Sequence, residues 1–312
     1  MRRREFITLL GGAAATWPLA ARAQQTERVR RIGVLMFPAE SDQEGQASVE
    51  AFREGLRQLG WMEGRNSEID IRWAAADVEL MKRFAKELVT LQPDLILTSS
   101  TIPIIFVLVA DPVGSGFVAS LPRPGGNATG FTPIVGSLGG KWVELLKEIA
   151  PRIARVTLLF NPPTATFVET HSKPPLPPSA RRRLSHPLTT CRASKSLVTT
   201  EAREPSSGLV VIPDAFTVAH RAEITALAAH YHVPAVYWSR SFAEVGGLIS
   251  YGPYIVEEYR RAASYADRIL KGSKPSELPV QAPVKFELVI NLKTAKTLVP
   301  WILQQRADEV IE

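Results

Sequence analysis

Residues 31–37 read RIGVLMF, a continuous apolar run that fits a strand buried on both faces of a parallel sheet. Residues 38–99 then decide the fold class. Ser41 and Asp42 offer helix N-caps, Val49, Phe52, Leu56 and Leu59 recur at helical spacing, and Gly60 supplies a stop. EIDIRWA at 68–74 alternates like a strand. Leu80, Met81, Phe84 and Leu88 mark a second helix, and Pro93 precedes the strand-like DLILTS at 94–99. The order βαβαβ predicts an α/β protein with a doubly wound parallel sheet.

A second series follows Gly125-Gly126-Asn127. Trp142, Leu145, Leu146 and Ile149 share a helical face, and RVTLLF at 155–160 reads as a strand. GLVVI at 208–212, a helix near 219–230 and PAVYW at 234–238 continue the alternation. Val256, Tyr259, Ala262, Ala263, Ala266, Ile269 and Leu270 form the apolar stripe of a long helix ended by Gly272. No dinucleotide fingerprint occurs in either half. The expectation is therefore two similar Rossmann-like lobes, without a separate cofactor domain.

The bulk properties agree with that size. A chain of 312 residues is long enough for about two domains. The net charge of +6 is unevenly spread: residues 1–23 carry +3 and residues 163–204 carry +4, which leaves −1 for the rest. A nucleic-acid binder needs a basic face on its folded body, and this body is neutral, so no nucleic-acid partner is expected. Cys191 is the single cysteine, which excludes an intramolecular disulfide and Cys-rich zinc spacing.

The start, MRRREFITLLGGAAATWPLAARAQQ, has a basic n-region, an apolar stretch at 6–21 and the small-x-small triplet Ala21-Arg22-Ala23. Residues 1–23 are expected to be an export signal cleaved after Ala23. Arg3-Arg4-Glu5-Phe6-Ile7 resembles the twin-arginine motif. The apolar run falls short of the ~20 residues that span a bilayer and is interrupted by Gly11, Gly12 and Pro18. The mature protein is expected in the periplasm.

Two places break the pattern. DLILTS at 94–99 is followed almost at once by PIIFVLVA at 103–110, whereas parallel neighbours need a crossover of a dozen or more residues. Either these runs do not pair in parallel, or a helix has been lost. The second break is residues 163–204, rich in proline and free of sustained periodicity, which reads as irregular or disordered.

AFREGLRQLGW at 51–61, IPIIFVLVADPVGSGFVASLPRPGGNATGF at 102–131, GGKWVELLKEIAP at 139–151, GLVVIPDAF at 208–216, YRRAASYADRILKG at 259–272 and LPVQAPVKFELVINLKTAK at 278–296 carry a family likeness. In series they resemble the ABC transporter substrate-binding proteins of the tryptophan/tyrosine-binding type. The likeness spans about 1–162 and 205–297. It implies a periplasmic-binding-protein-like type I fold with hinge crossovers between the lobes. Residues 28–130 and about 248–275 would form lobe 1; 131–247 and about 276–312 would form lobe 2. It also implies a small-molecule solute and an inner-membrane ABC permease as partners, no cofactor and no catalysis. The departures fall on the two breaks: the family's helix after residue 100 is missing, and 163–200 resembles coding sequence read out of frame.

In open α/β sheets ligands sit beyond the carboxyl ends of the strands. In a two-lobed receptor those ends face one cleft, and the candidates are read from them. Lobe 1 offers Met36, Phe37, Ser99, Ser100, Thr101 and Asp111. The other lobe offers Asn161, Asp214 and Trp238, and Tyr251 and Gly252 follow the strand at 247–250, where the family's chain returns to lobe 1. The set suits an amino-acid-like solute. Hydroxyls and N–H groups at a helix start would hold a carboxylate, Asp111 or Asp214 an ammonium, and Phe37, Trp238 or Tyr251 an apolar or aromatic group. His230 and His232 lack metal-ligand partners, and no metal is expected. No G-x-S-x-G elbow or H-E-x-x-H pair occurs, so an α/β enzyme is the weaker reading. The other alternative is an exported but binding-defective product of a damaged gene.

Overall fold

The computed structural model describes residues 29–97, 103–135, 137–161, 181–184, 191–204, 206–295 and 300–312. The expected export signal and Ser99, Ser100 and Thr101 lie outside the described residues. Lobe 1 is built on β1 (Arg30–Met36), β2 (Ser67–Trp73), β3 (Leu95–Leu97), β4 (Ile104–Val107) and β5 (Ala128–Phe131). These strands lie in the order β2-β1-β3-β4-β5, all parallel. Helix α1 (Gln43–Gln58) starts at Asp42, whose carboxylate accepts the Gly45 N–H at 2.8 Å. Helix α2 (Val78–Thr90) starts at Asp77, which accepts from Glu79 and Leu80. The two-residue period of β1 sends Ile32, Val34 and Met36 against Val49, Phe52 and Leu56 of α1. Leu35 packs instead with Leu88 of α2 and Ile96. Both sheet faces are covered, which is why 32–37 is apolar throughout.

Strands β3 and β4 do pair in parallel, with Ile96 opposite Ile104. Only residues 98–103 separate their ends, too few for a helical crossover. The register makes the short connection possible, because β4 starts alongside Ile96, one residue before the end of β3. Of the two explanations for this break, unpaired runs are ruled out.

Lobe 2 begins with α3 (Leu138–Ile149) and carries β6 (Arg155–Leu159), β7 (Arg181–Leu184), α4 (Cys191–Ala202), β8 (Ser207–Val211), α5 (Ala215–Ala219), α6 (Arg221–His230), β9 (Ala235–Tyr237), α7 (Arg240–Glu244) and β10 (Ile249–Pro253). Strand β7 and helix α4 fall inside the stretch expected to be irregular. That expectation is corrected for 181–184 and 191–202: β7 pairs in parallel with β6, and Val198 of α4 is fully buried in the lobe 2 core. The sequence hides them because α4 is short on large apolar residues.

The long helix α8 (Ile255–Leu270) then crosses back to lobe 1. Its Ala262, Ala263, Ala266 and Ile269 join the α1 core, and a Cβ on Gly55 of α1 would come within 2.7 Å of the Ala263 Cβ. After Leu278 and Gln281, which stay with lobe 1, β11 (Phe286–Asn291), α9 (Leu292–Ala295), α10 (Trp301–Gln305) and β12 (Glu309–Ile311) return to lobe 2. Its sheet order is β12-β11-β10-β9-β8-β6-β7, with β10 and β11 antiparallel.

This places the boundaries differently from the sequence reading. Residues 249–253 belong to lobe 2, because β10 is hydrogen-bonded between β9 and β11. Residues 276–282 belong to lobe 1, where Leu278 is buried and Gln281 bridges Phe131. The crossings lie side by side: Thr132 N–H donates to the Gln281 carbonyl at 3.0 Å, and Tyr254 N–H to Lys285 at 2.9 Å.

Candidate functional site

The carboxyl ends of both sheets open onto one cleft of about 450 Å³, lined by residues of both lobes. From lobe 1, β1 delivers Met36 and Phe37, the start of α1 delivers Asp42, Glu44 and Ser48, and β4 runs out through Leu108 to Asp111. Leu108 has φ of +65°, an uncommon conformation for a residue with a Cβ. Its side chain packs on the core of lobe 2. From lobe 2 come Asp214, Arg221, Trp238, Ser239 and Ser241, and α8 adds Ile255 and Tyr259.

Five of the sequence candidates, Met36, Phe37, Asp111, Asp214 and Trp238, line this cleft. Asp214 is buried and already employed. Its two oxygens accept the Asn161 N–H at 2.6 Å and the Phe216 N–H at 3.1 Å, so it ties the end of β6 to the start of α5. Asp111 closes a turn by accepting from the Gly114 N–H at 2.7 Å.

Asn161, Tyr251 and Gly252 are not part of the cleft wall. Asn161 is buried behind Asp214. Tyr251 lies within β10, not after it; its carbonyl accepts the Trp142 indole N–H at 2.7 Å and its ring stacks on Phe286. Gly252 is packed against the main chain of Trp238: a Cβ there would lie 1.7 Å from the Trp238 carbonyl oxygen.

Sequence reasoning missed three groups. Asp42 was visible only as a cap, yet its second oxygen accepts from Arg221, an ion pair joining lobe 1 to lobe 2. Glu44 looked like an ordinary acidic residue in the first turn of a helix, where the dipole favours it. In the fold its Oε1 is buried in the cleft without a hydrogen-bond partner. Phe106 and Tyr259 widen the aromatic wall. Arg221 is the only cation among the described cleft residues, against Asp42, Glu44, Asp111 and Asp214.

Burial, the largest cause, pushes the Glu44 carboxyl up to about 8 from its ordinary 4.5; Glu244, Asp42 and Glu287 add to the shift and Arg240 opposes it. With the lobes apart, water would reach Glu44 and restore its ordinary value. The closed empty cleft therefore binds one more proton than the open one between about pH 4.5 and 8. Closure is favoured below that window and loses this support as pH rises through it. Small-angle scattering of the ligand-free protein should show a larger radius of gyration at pH 8.5 than at pH 5.5. The difference should vanish in Glu44→Gln; an unchanged difference in that variant would assign it to another group.

A family model described as ABC transporter substrate binding protein matches residues 32–306. A tyrosine-binding protein of Clostridioides difficile (strain R20291) is 26% identical over 263 residues, covering 79% of this chain and 75% of the relative. Among solved structures, an ABC domain from Streptococcus pneumonia in complex with L-Trp has a TM-score of 0.78 at 23% identity, covering 90% of this chain and 99% of that one. The ligand-free, open structure of a substrate binding protein with adhesive properties from Clostridium difficile has a TM-score of 0.64 at 20% identity, covering 91% and 99%. At these identities the two structures establish a shared fold. Among the described residues, no helix is long and apolar enough to cross a membrane.

Proposed function

This chain belongs to the ABC transporter substrate binding protein family, and we propose that it clamps an aromatic amino acid between its lobes and presents it to an inner-membrane permease. It is the solute-binding component of an ABC transporter, and the family is not one of enzymes. The observation that carries the finer reading is the composition of the cleft. Its volume falls in the range of small-molecule sites, and Phe37, Phe106, Phe117, Trp238 and Tyr259 supply ring surface beside a few charged groups. The names of relatives support the same class: one is a tyrosine-binding protein and one was solved with L-Trp. Solute contacts to both lobes would stabilise the closed form, which the permease then recognises. Work on the solute side of the inner membrane requires export, and the leader expected at 1–23 would supply it.

Thermal melts with L-tyrosine, L-tryptophan, L-leucine and arabinose test this directly. A ligand at a hundredfold excess over its Kd adds about 2.7 kcal/mol to folded-state stability. For a chain of this size that raises the midpoint by about 5 °C. The aromatic amino acids should produce that shift and the sugar none. No shift with any of them, nor across a wider solute panel, would favour the binding-defective alternative.

A further inference from the structure

Buried polar atoms without a protein partner are costly, and folded proteins rarely keep them without a reason. Among the described residues, only two such side-chain atoms belong to residues lining the cleft: Glu44 Oε1 from lobe 1 and Trp238 Nε1 from lobe 2. One can only accept a hydrogen when ionised, and the other can only donate one. Both residues line the same cleft, one from each lobe.

The obvious protein partners are spoken for. Arg221 donates to Asp42 and to the Val218 carbonyl. Arg240, whose charge is felt at Glu44, is bonded to Glu244, Glu287 and Glu309 at 2.8–3.0 Å. Asp214 and Asp111, the carboxylates first suggested for an ammonium, accept main-chain N–H groups. Glu44 is the cleft carboxylate with no such engagement. Trp238, only 4% exposed, cannot turn its indole N–H to water.

We propose that Glu44 and Trp238 together read the polar head of the solute: Glu44 Oε1 accepts a hydrogen from its ammonium, and Trp238 Nε1 donates to its carboxylate. The pair selects a zwitterion and rejects compounds carrying one of the two groups. Because each atom stands on a different lobe, the head group also links the lobes. This inference rests on the amino-acid reading above and assigns the residues that enforce it.

Calorimetry with L-tyrosine, tyramine and 3-(4-hydroxyphenyl)propionate separates the two contacts. Wild-type protein should bind L-tyrosine about 100-fold more tightly than either analogue. Glu44→Gln should bring L-tyrosine and the propionate within a few-fold of each other. That variant should fold normally, since it removes a carboxylate that is costly to bury. The Trp238 contact is read on the unaltered protein by nitrogen-15 labelling of its tryptophans. One indole N–H resonance should move on saturation with L-tyrosine and stay in place with tyramine. If L-tyrosine binds but its preference over the propionate survives in Glu44→Gln, or no indole resonance moves, the head-group assignment is overturned. If neither L-tyrosine nor L-tryptophan binds at all, the amino-acid reading itself falls and takes the assignment with it.

Discussion

Replacing Gly252 with alanine is expected to lower the melting midpoint by about 5 °C and to weaken solute binding. The added Cβ would sit 1.7 Å from the Trp238 carbonyl oxygen and 2.8 Å from its carbonyl carbon. Ordinary contact requires more than 3 Å, so β10 and the end of β9 must separate. Neither can move freely: β10 is paired on both sides, and Tyr237 and Trp238 are buried in the lobe 2 core. Overpacking in such a place costs about 3 kcal/mol, and each kcal/mol lowers the midpoint of a chain this size by about 2 °C. The displaced residue lines the cleft, so affinity should fall together with stability. Gly140→Ala in α3 is the control, because a Cβ there meets nothing within 4 Å and alanine favours a helix. It should leave the midpoint unchanged or raise it slightly. Equal effects of the two substitutions would remove the steric explanation.

Gly252 also shows where sequence reasoning stops. Its place near a strand end makes it a site candidate on sequence alone, and the structure gives it a packing role at the back of the site. The period-2 and period-3.6 patterns identify elements well: β1, α1, α2 and α8 lie where the apolar spacing places them, with Asp42 capping α1 as its position suggested. Those patterns carry no information about which sheet a strand joins. Residues 249–253 look the same whether β10 lies in lobe 1 or between β9 and β11, and only long-range pairing decides. Strand β7, RRRL, was unreadable for a related reason, since three of its four residues are charged. It stands at the edge of its sheet, and only the pairing with β6 reveals it.

The cleft divides along similar lines. Phe37, Asp111, Asp214 and Trp238 are legible as cleft-lining residues because a polar or aromatic residue follows a buried run, and Met36 because it ends one. Glu44 and Arg221 are not, since an acidic residue in a first turn and an arginine opening a helix need no special explanation on sequence alone. Their significance comes from facing the other lobe. Contacts across 179 residues of sequence, such as Arg221 to Asp42, follow from how the halves dock.

That ion pair supports the second large prediction. Arg221→Ala should weaken solute affinity about 30-fold while leaving the melting midpoint of the empty protein nearly unchanged. Each lobe keeps its core in the variant, and what is lost is a contact that only apposed lobes can make. The pair is shielded, with side-chain exposures of 25% for Arg221 and 11% for Asp42, so screening by water is incomplete. Coupling in partly buried pairs between docked surfaces reaches about 2 kcal/mol, which corresponds to the stated factor. Most of the change should appear in the dissociation rate, because the bridge holds the two lobes together around the solute. Asp42→Asn provides the partner for a double-mutant cycle. Its side-chain oxygen can still accept the Gly45 N–H and cap α1, so it removes the charge with little loss of helix stability. Each single variant should weaken binding, the double variant should be no worse than either, and the wild-type advantage should shrink at 1 M salt. Strictly additive losses would mean that the two residues act separately, and the ionic latch between the lobes would have to be abandoned.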